Sequence, residues 1–362
     1  MSKRIFIVSC FVVCALISCE KNPGITNGSS SSADTPADKD EKVLVKPAQA
    51  DISKRVHLTF AVGSSGQKTT YDANNNDILW SAGDQLQMYS TQPSDGTYDH
   101  SLFNLSSKDS GGGMKYAMFE GDIVPGDHYF SFYPSIESSD SNVIFDTENC
   151  VVDNSDAIFE YSLLNTQSYR SGSFNTRALP TVAHTTDKDN FIFTHLCAIL
   201  EIWVKTLSQP VQVNSITLSA DNQVLYPLCG KYRVEYSGGG EKWSVPEYIG
   251  NLDDEDFTIY MEDIDETIEP EEYTKFYFVI PATDLLDEND AITLTCLISS
   301  TEGTYLNIKS IPLNKLANKK ILPGDHIGFK VDADFSKDWQ TMVLVKEIIK
   351  DWPDIVADPT EY

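Results

Sequence analysis

Residues 191–205 read FIFTHLCAILEIWVK, and apolar side chains recur there at every second position. Side chains of a β-strand point alternately to opposite faces, so this spacing places one set of residues on one side of an extended chain. The same alternation occurs in RVHLTFAV (55–62), AITLTCLIS (291–299) and GDHIGFKVDADF (324–335). Many such runs, separated by Gly, Asn, Asp and Pro, indicate antiparallel sheets with one solvated face. The residues of 191–205 predicted to share one face are Ile192, Leu196, Ala198, Leu200, Ile202 and Val204.

The rest of the chain repeats this pattern without a long stretch of helical period, so we predict an all-β fold. The residues after position 50 exceed one ordinary sandwich, and two β-sandwich domains are expected at 51–186 and 187–362. We place the division in the polar stretch PTVAHTTDKDN (180–190). A weak repeat agrees: IVPGDHYFSF (123–132) and ILPGDHIGFK (321–330) both lead into a strand through Pro-Gly-Asp-His, although a type II turn in each explains the coincidence equally well.

The N-terminus has the features of an export signal. Two basic residues precede an apolar run of 13 residues, 5–17, which is too short to span a bilayer because spanning takes about 20 residues. This predicts a signal peptide over 1–18. Leu16-Ile17-Ser18-Cys19 resembles a bacterial lipobox, and the resemblance implies that Cys19 is diacylated on its thiol and becomes the first mature residue. Cleavage beside a chance cysteine is the alternative.

Lipidation would fix the location of the precursor. Two or three acyl chains anchor a protein stably, so we expect it to be attached to the outer membrane through its N-terminal lipid. Residues 19–50 are predicted to be a flexible linker, because NPGITNGSSSSADTPADKD (22–40) contains one aliphatic residue and no large aromatic one.

The composition argues against several partners and chemistries. The formal charge of −27 becomes −29 when 1–18 are removed with two basic residues and no acidic one. Nucleic acid is therefore not expected as a partner, since counterion release needs a basic surface. No hydrolase, metalloprotease, phosphate-loop or dinucleotide motif occurs. The sequence predicts a non-enzymatic protein with no catalytic residue, cofactor or metal site.

Two features leave alternatives open. The stretch DDEDFTIYMEDIDETIEPEE (253–272) holds 11 carboxylates in 20 positions, and either a calcium site or a solvated acidic surface accounts for it. Of seven cysteines, Cys10 and Cys14 leave with the signal and Cys19 carries lipid. The other four either form disulfides in an oxidising compartment or stay buried and unpaired: Cys150, Cys197, Cys229 and Cys296.

Five pieces follow one another along the chain: TTYD (69–72), ILWSAGDQLQMY (78–89), GDHYFSFYP (126–134), FIFTHLCAILEIWV (191–204) and IIKDW (348–352). Together they resemble the fimbrillin family, which comprises the type V pilins and accessory fimbrial lipoproteins of Bacteroidales. The match runs from about residue 56 to the end. The resemblance implies two transthyretin-like β-sandwiches in series and a structural or accessory subunit of a surface fimbria that supports adhesion, with other fimbrial subunits as partners. A glycan-binding or nutrient-capture surface lipoprotein is the alternative.

The resemblance also implies a route of assembly. A trypsin-like protease clips an N-terminal strand from the lipid-anchored precursor, and the emptied groove accepts a strand from a neighbouring subunit. Lys54 and Arg55 form a dibasic site before the first clear strand, and KVLVKP (42–47) is the apolar segment that cleavage would release. A solvated strand start accounts for the two basic residues equally well.

The C-terminal stretch TMVLVKEIIKDW (341–352) is the candidate donor. Its β-branched residues and the following Pro353 favour strands over a helix. An apolar strand at a sheet edge invites pairing with another chain unless it is covered. Residues 336–362 are therefore predicted either to close their own sheet or to insert into the next subunit, with Met342 and Leu344 on the inserted face.

Overall fold

Short β-strands make up the protein in a computed structural model that describes residues 44–63, 70–72, 77–92, 94–109, 116–136, 142–188, 191–207, 209–223, 226–252, 257–283, 293–303, 305–312, 320–333 and 347–350. The strands of the first half are β1 (Ala48–Gln49), β2 (Val56–Gly63), β3 (Thr70–Asp72), β4 (Asp77–Leu79), β5 (Gln85–Gln92), β6 (Thr97–Leu105), β7 (Ala117–Ile123), β8 (His128–Tyr133), β9 (Val143–Phe145), β10 (Val151–Asp153), β11 (Asp156–Leu163), β12 (Thr181–Thr185) and β13 (Phe191–His195).

The strands of the second half are β14 (Cys197–Thr206), β15 (Val211–Ala220), β16 (Gly230–Ser237), β17 (Lys242–Trp243), β18 (Glu247–Gly250), β19 (Ile259–Met261), β20 (Glu266–Ile268), β21 (Thr274–Pro281), β22 (Thr293–Ser300), β23 (Tyr305–Pro312), β24 (His326–Ala333) and β25 (Glu347–Lys350). Three 3₁₀ turns at Ile52–Lys54, Ser107–Asp109 and Thr176–Ala178 are the helical elements of the described residues. The predicted all-β class is confirmed. No helix among those residues is long and apolar enough to cross a membrane.

The first sheet closes on itself, and we call it the barrel. Its strand order is β1-β6-β5-β8-β12-β13-β2-β7, and β7 returns to pair with β6 through Asn104↔Glu120 and Leu105↔Phe119. Its interior is aromatic because alternate residues of each strand point inward. Trp80 lies fully buried there, with its ring 4.9 Å from that of Phe119 in an edge-to-face contact. The other large interior residues include Phe60, Phe103, Tyr129, Tyr133, Phe191 and Phe193.

Two further sheets form a sandwich. One has the order β21-β14-β24-β25, and the other has the order β19-β15-β22-β23 with β20 also pairing to β15. Apolar residues predicted by alternation fill the space between them, and Leu294, Cys296 and Ile298 on β22 are fully buried. On β24 the alternating set is likewise buried: Ile327, Phe329 and Val331.

A fourth sheet, which we call the bridging sheet, joins the barrel to the sandwich. It pairs β11 with β9, β10 and β16, and β16 with β17 and β18. Phe159 and Tyr161 of β11 belong to one core cluster with Phe132 of the barrel and Val279 of the sandwich. Strand pairing thus crosses residue 186 at β11–β16, and Thr181–Thr185 of the proposed boundary is a barrel strand. The division at 51–186 and 187–362 stays a prediction.

Residues 191–205 form two strands, not one. β13 ends at His195 and β14 begins at Cys197. β13 belongs to the barrel, where Phe193 is buried and Ile192 is 45% exposed. β14 belongs to the sandwich and buries the predicted set from Ala198 to Val204. The prediction that Ile192 shares the buried face is wrong. The chain breaks at Leu196, so the alternation of β14 does not continue into β13, and the two strands bury residues in different cores.

The Pro-Gly-Asp-His repeat is only partly a structural one. At 322–325 the Leu322 amide donates to Asp325 Oδ2 at 2.7 Å and Gly324 has a φ of 87°, as a type II turn requires. Ser81 and Asp84 repeat that amide-to-carboxylate bond at 2.7 Å, with a glycine φ of 86° at position 83. Gly126 is not among the positive-φ glycines of the described residues. The structural counterpart of 322–325 is therefore 81–84, not 124–127.

Candidate functional site

The N-terminal segment, which we define as residues 44–54, pairs with an edge of the barrel sheet. β1 pairs with β6 in parallel through Ala48↔Thr97 and Gln49↔Tyr98, and the Ala50 amide donates to the Tyr98 carbonyl at 2.7 Å. The paired stretch is short because β1 has only two residues. The segment therefore adds a small parallel strand to an edge of β6 that the barrel itself leaves open at that end.

Lys46 is a second point of attachment for the N-terminal segment. Its ammonium group donates to the carbonyl of Thr147 at 3.1 Å and to that of Glu148 at 3.2 Å. It also lies 5.8 Å from the centre of the Tyr98 ring. Lys46 is itself exposed, so water competes for each of these contacts and each contributes little. The attachment at this point is weak.

Apolar burial contributes little to the attachment of the N-terminal segment. Val45 is 76% exposed and Ile52 is 60% exposed, and Ala50 is the one apolar residue of the segment in the core. Residues from Ile52 to Lys54 form a 3₁₀ turn that Asp51 caps by accepting a hydrogen bond from the Ser53 amide. Lys54 is exposed at the end of this turn, where it interacts electrostatically with Asp51.

Arg55, one residue later, is held in a different way. Its Nε donates to Asp99 Oδ2 and its Nη2 to Asp99 Oδ1, each at 2.8 Å. Nη2 also donates to the carbonyl of His100 at 2.8 Å. The Asp99 side chain is fully buried, whereas that of Arg55 is 31% exposed. A bidentate arginine–carboxylate pair is a strong and geometrically specific contact, so Arg55 ties the start of β2 to the first part of β6.

The electrostatics of the pair agree with its geometry. Burial alone raises the pKa of Asp99, but the hydrogen bonds from Arg55 and from the Val124 amide at 2.9 Å outweigh it and hold that pKa below its ordinary value. The bond to Asp99 raises the pKa of Arg55. Asp99 is therefore ionised at neutral pH, and its charge depends on Arg55 for compensation.

The sequence identified Lys54 and Arg55 as a dibasic site. It did not show that Arg55 is ion-paired while Lys54 is exposed, because it did not identify Asp99 as a partner. The available signal was an aspartate inside a strand pattern, TYDHSLF (97–103), where aspartate is disfavoured. An internal aspartate of this kind needs a partner when it is buried, and the partner here is 44 residues away in the chain. The structure thus brings together Arg55, one of the two predicted processing residues, and Asp99, a carboxylate that no local sequence pattern pairs with it.

The C-terminal candidate is described in part. β25 is antiparallel to β24 and pairs Ile327↔Lys350 and Lys330↔Glu347. The prediction of a strand rather than a helix is confirmed for these four residues. They close their own sheet here, beside β24. Met342 and Leu344, like Cys19 and the signal peptide, lie outside the described residues, so their predicted roles stay predictions.

The cysteines and the acidic stretch are described in part. The four cysteines of the described residues are buried and none of them is in a disulfide bond. Burial raises the pKa of Cys150, Cys197 and Cys296 to about 12, which keeps their thiols protonated. In the parts of 253–272 that are described, and elsewhere among described residues, no group of three metal-ligating side chains is assembled. Glu266 instead accepts hydrogen bonds from Tyr169 and Ser171.

A pair of histidines lies on the outside of the barrel. Nδ1 of His128 and Nε2 of His184 are 3.1 Å apart, and the ring of His184 lies 4.3 Å from that of Tyr236 and 4.7 Å from that of Phe130. Burial, and then the neighbouring His128, lower the pKa of His184 to about 4. His184 is therefore neutral at physiological pH and contributes a polar contact at the junction with the bridging sheet.

Comparison with known proteins gives similar folds at low identity. No protein-family model and no curated protein matches the chain. A solved structure of a candidate cell adhesion protein from Bacteroides uniformis is 15% identical, with a TM-score of 0.44, over 83% of this chain and 99% of that one. The tip fimbrial protein Mfa3 from Porphyromonas gingivalis, with a C-terminal truncation, is 11% identical, with a TM-score of 0.37, over 82% and 100%.

Candidate polysaccharide binding proteins from Bacteroides thetaiotaomicron are also similar, at 10% identity and a TM-score of 0.40, over 82% of this chain and 99% of that one. The solved structures named above are adhesion, fimbrial-tip and polysaccharide-binding proteins by their descriptions. The likeness concerns the fold alone, and it assigns no role to any residue of this chain.

Proposed function

We propose that this protein is a non-enzymatic subunit of a surface fimbria, exported as a lipoprotein anchored to the outer membrane through Cys19. A trypsin-like protease removes the N-terminal segment, and strand exchange then joins subunits to one another or to related ones. Two transthyretin-like domains in series belong to the same proposal. The separate cores of the barrel and the sandwich support it.

One observation carries the proposal: the N-terminal segment is separable from the fold. The pairing of β6 with β7 closes the barrel without β1, and the main residues of the barrel core lie in other strands. Loss of the segment removes two paired residues, the Ala50 contact and the two bonds of Lys46. Cleavage before β2 can therefore release the segment while the barrel stays folded.

The released segment leaves a site for another strand. The backbone groups of Thr97 and Tyr98 that pair with β1 become free, and a free strand edge is a template for β-augmentation. In such contacts main-chain hydrogen bonds provide affinity and alternate side chains provide register. Residues 336–362 are the proposed donor, with Met342 and Leu344 as the inserted side chains.

The test compares polymer formation before and after clipping. The soluble chain without the lipidated cysteine, residues 20–362, is treated with trypsin under native conditions and analysed by size-exclusion chromatography and denaturing gels without heating. We expect the uncut chain to remain a single species and the clipped chain to form a ladder of multiples.

The matched variants change opposite faces of the donor. Met342→Asp with Leu344→Asp places charge on the inserted face and should abolish the ladder. Val343→Asp with Val345→Asp places the same charge on the other face and should leave the ladder in place. A clipped wild-type chain that stays monomeric at high concentration would contradict the proposal, and so would equal effects of the two variants.

A further inference from the structure

Lys54 and Arg55 offer a protease two adjacent bonds, and the structure treats the two residues differently. A trypsin-like enzyme must draw the side chain before the scissile bond into its own acidic pocket. The ammonium group of Lys54 lies in solvent at the end of an exposed turn. The guanidinium group of Arg55 already makes three hydrogen bonds of 2.8 Å, two of them to the buried Asp99. Arg55 must leave that pair before a protease can bind it.

The turn before Arg55 opens more easily than the pair does. Two backbone hydrogen bonds close it, from the Lys54 amide to the Asp51 carbonyl at 3.0 Å and from the Arg55 amide to the Ile52 carbonyl at 3.2 Å. Residues 51–54 are all exposed, so opening the turn uncovers no core. Proteolysis follows the population of the open form when opening is fast relative to cleavage. Opening this turn frees the Lys54 side chain and leaves the Arg55–Asp99 pair in place.

The two cuts also leave different products. A cut after Arg55 puts the arginine at the end of the departing segment, which then remains attached through Asp99 and the His100 carbonyl. A cut after Lys54 leaves Arg55 with the barrel, and the segment keeps only β1, Ala50 and Lys46 as contacts. Removal of Arg55 would also leave a buried, ionised carboxylate without its cation, which is costly.

We infer that the processing bond is Lys54–Arg55, that the protease is one that accepts lysine before the scissile bond, and that Arg55 becomes the N-terminus of the processed subunit. This inference rests on the proposed function for its biological role. The step is a hydrolysis: the amide between the Lys54 carbonyl carbon and the Arg55 nitrogen breaks, and water supplies the hydroxyl to the carbon and a proton to the nitrogen. The products are a carboxylate on Lys54 and an α-ammonium on Arg55, a residue that already interacts with Asp99 and Asp122.

The test uses two endopeptidases on the folded mature chain, one specific for lysine and one for arginine, matched for activity on the unfolded chain. Intact mass and N-terminal sequencing identify the bond that is cut. We expect the lysine-specific enzyme to produce a chain starting at Arg55 at least about tenfold faster than the arginine-specific enzyme produces one starting at Val56, because the ion pair reduces the accessible arginine. The segment ending at Lys54 should separate from the barrel on native size exclusion.

Asp99→Asn is the matched variant, since it keeps the shape of the side chain and removes its charge. It should raise the rate of cleavage after Arg55 and leave that after Lys54 nearly unchanged, with an unchanged circular dichroism spectrum. If Asp99→Asn fails to fold, the ratio of the two cleavage rates in the wild-type protein still tests the inference, because it needs no variant. Equal wild-type rates at the two bonds, or cleavage at neither, would overturn the inference.

Polymer formation is a separate readout. A chain cut after Lys54 that stays monomeric refutes strand exchange while the position of the cut stands. A chain that polymerises after a cut at Arg55 supports strand exchange and refutes the position.

Discussion

Replacing Arg55 by Ala should destabilise the protein far more than replacing Lys54 by Ala, although the two residues are neighbours of the same charge. Arg55→Ala removes three charge-assisted hydrogen bonds and leaves Asp99 ionised inside the protein. Lys54→Ala removes an exposed side chain at the end of a turn. Comparing the two variants therefore tests whether Arg55 contributes more to stability than its neighbour Lys54.

The magnitude follows from the burial of the carboxylate. Removing one partner of a buried pair costs about 3–5 kcal/mol, and the partial exposure of Arg55 lets water reach the site, so we expect about 3 kcal/mol. Exposed substitutions usually stay within about 0.5 kcal/mol, which is the expectation for Lys54→Ala. Arg55→Lys should fall between the two, because an ammonium group keeps the charge but cannot make the bidentate contact.

The assay is equilibrium unfolding in urea, followed by tryptophan fluorescence, with Trp80 reporting on the barrel core. With a denaturant slope of about 3 kcal/mol per M, Arg55→Ala should lower the midpoint by about 1 M and Lys54→Ala by less than about 0.2 M. A double-mutant cycle with Asp99→Asn isolates the pair. In the Arg55→Ala background Asp99→Asn should cost little, since it removes the uncompensated charge.

The pH dependence gives an independent check with a defined sign. The pKa of Asp99 in the folded protein lies below its unfolded value of about 3.9, so the stabilisation is complete above that value and is lost as pH falls through the folded pKa. The difference between wild type and Arg55→Ala should therefore shrink below about pH 4. Equal stability of the Arg55→Ala and Lys54→Ala proteins at neutral pH would refute the assigned role of the pair.

Three other predictions follow from the ends of the chain and from the histidine pair. Cys19→Ala should move the protein out of the membrane fraction in fractionated cells, because acylation supplies most of its membrane affinity; normal recovery in that fraction would contradict lipidation. Truncation after Phe335 removes β25 from the edge of β24, so thermal unfolding should occur at a lower temperature and clipped protein should not polymerise; unchanged stability together with unchanged polymers would exclude both roles of the tail. His184 has a pKa of about 4 in the folded protein and about 6.5 in the unfolded chain. The wild-type protein should therefore lose about 1–2 kcal/mol of stability as pH falls from 6.5 to 4, after allowance for the partial exposure of His184. Urea unfolding across this pH range should show a smaller loss for His184→Asn.

Local patterns were enough for the strand content and for several buried faces. Period-two alternation identified the inner residues of β22 and β24 and most of those on β14, since the side-chain direction in a strand depends only on position along the chain. Turn chemistry at 322–325 was also readable, because proline and glycine fix the backbone angles locally. Each of these features depends on residues that are close in sequence.

Features that depend on distant pairing were not readable. The break at Leu196 assigns β13 and β14 to different sheets, and nothing in the alternation of 191–205 marks it. The bridging sheet pairs β11 with β16 across the expected boundary between domains. Strand partners are chosen by the packing of whole sheets, and a single sequence contains no direct record of that choice.

The processing site shows the same division between local and distant information. By itself the sequence determined an all-β chain with a lipobox-like cysteine, and it placed two basic residues just before the first clear strand. Only the tertiary structure distinguished those two residues, because the distinction depends on Asp99, which folding brings from β6 and buries beside Arg55. A buried charge is stable only with its partner in place, and that partner is fixed by the packing of β6 beside the start of β2 and not by the sequence around either residue.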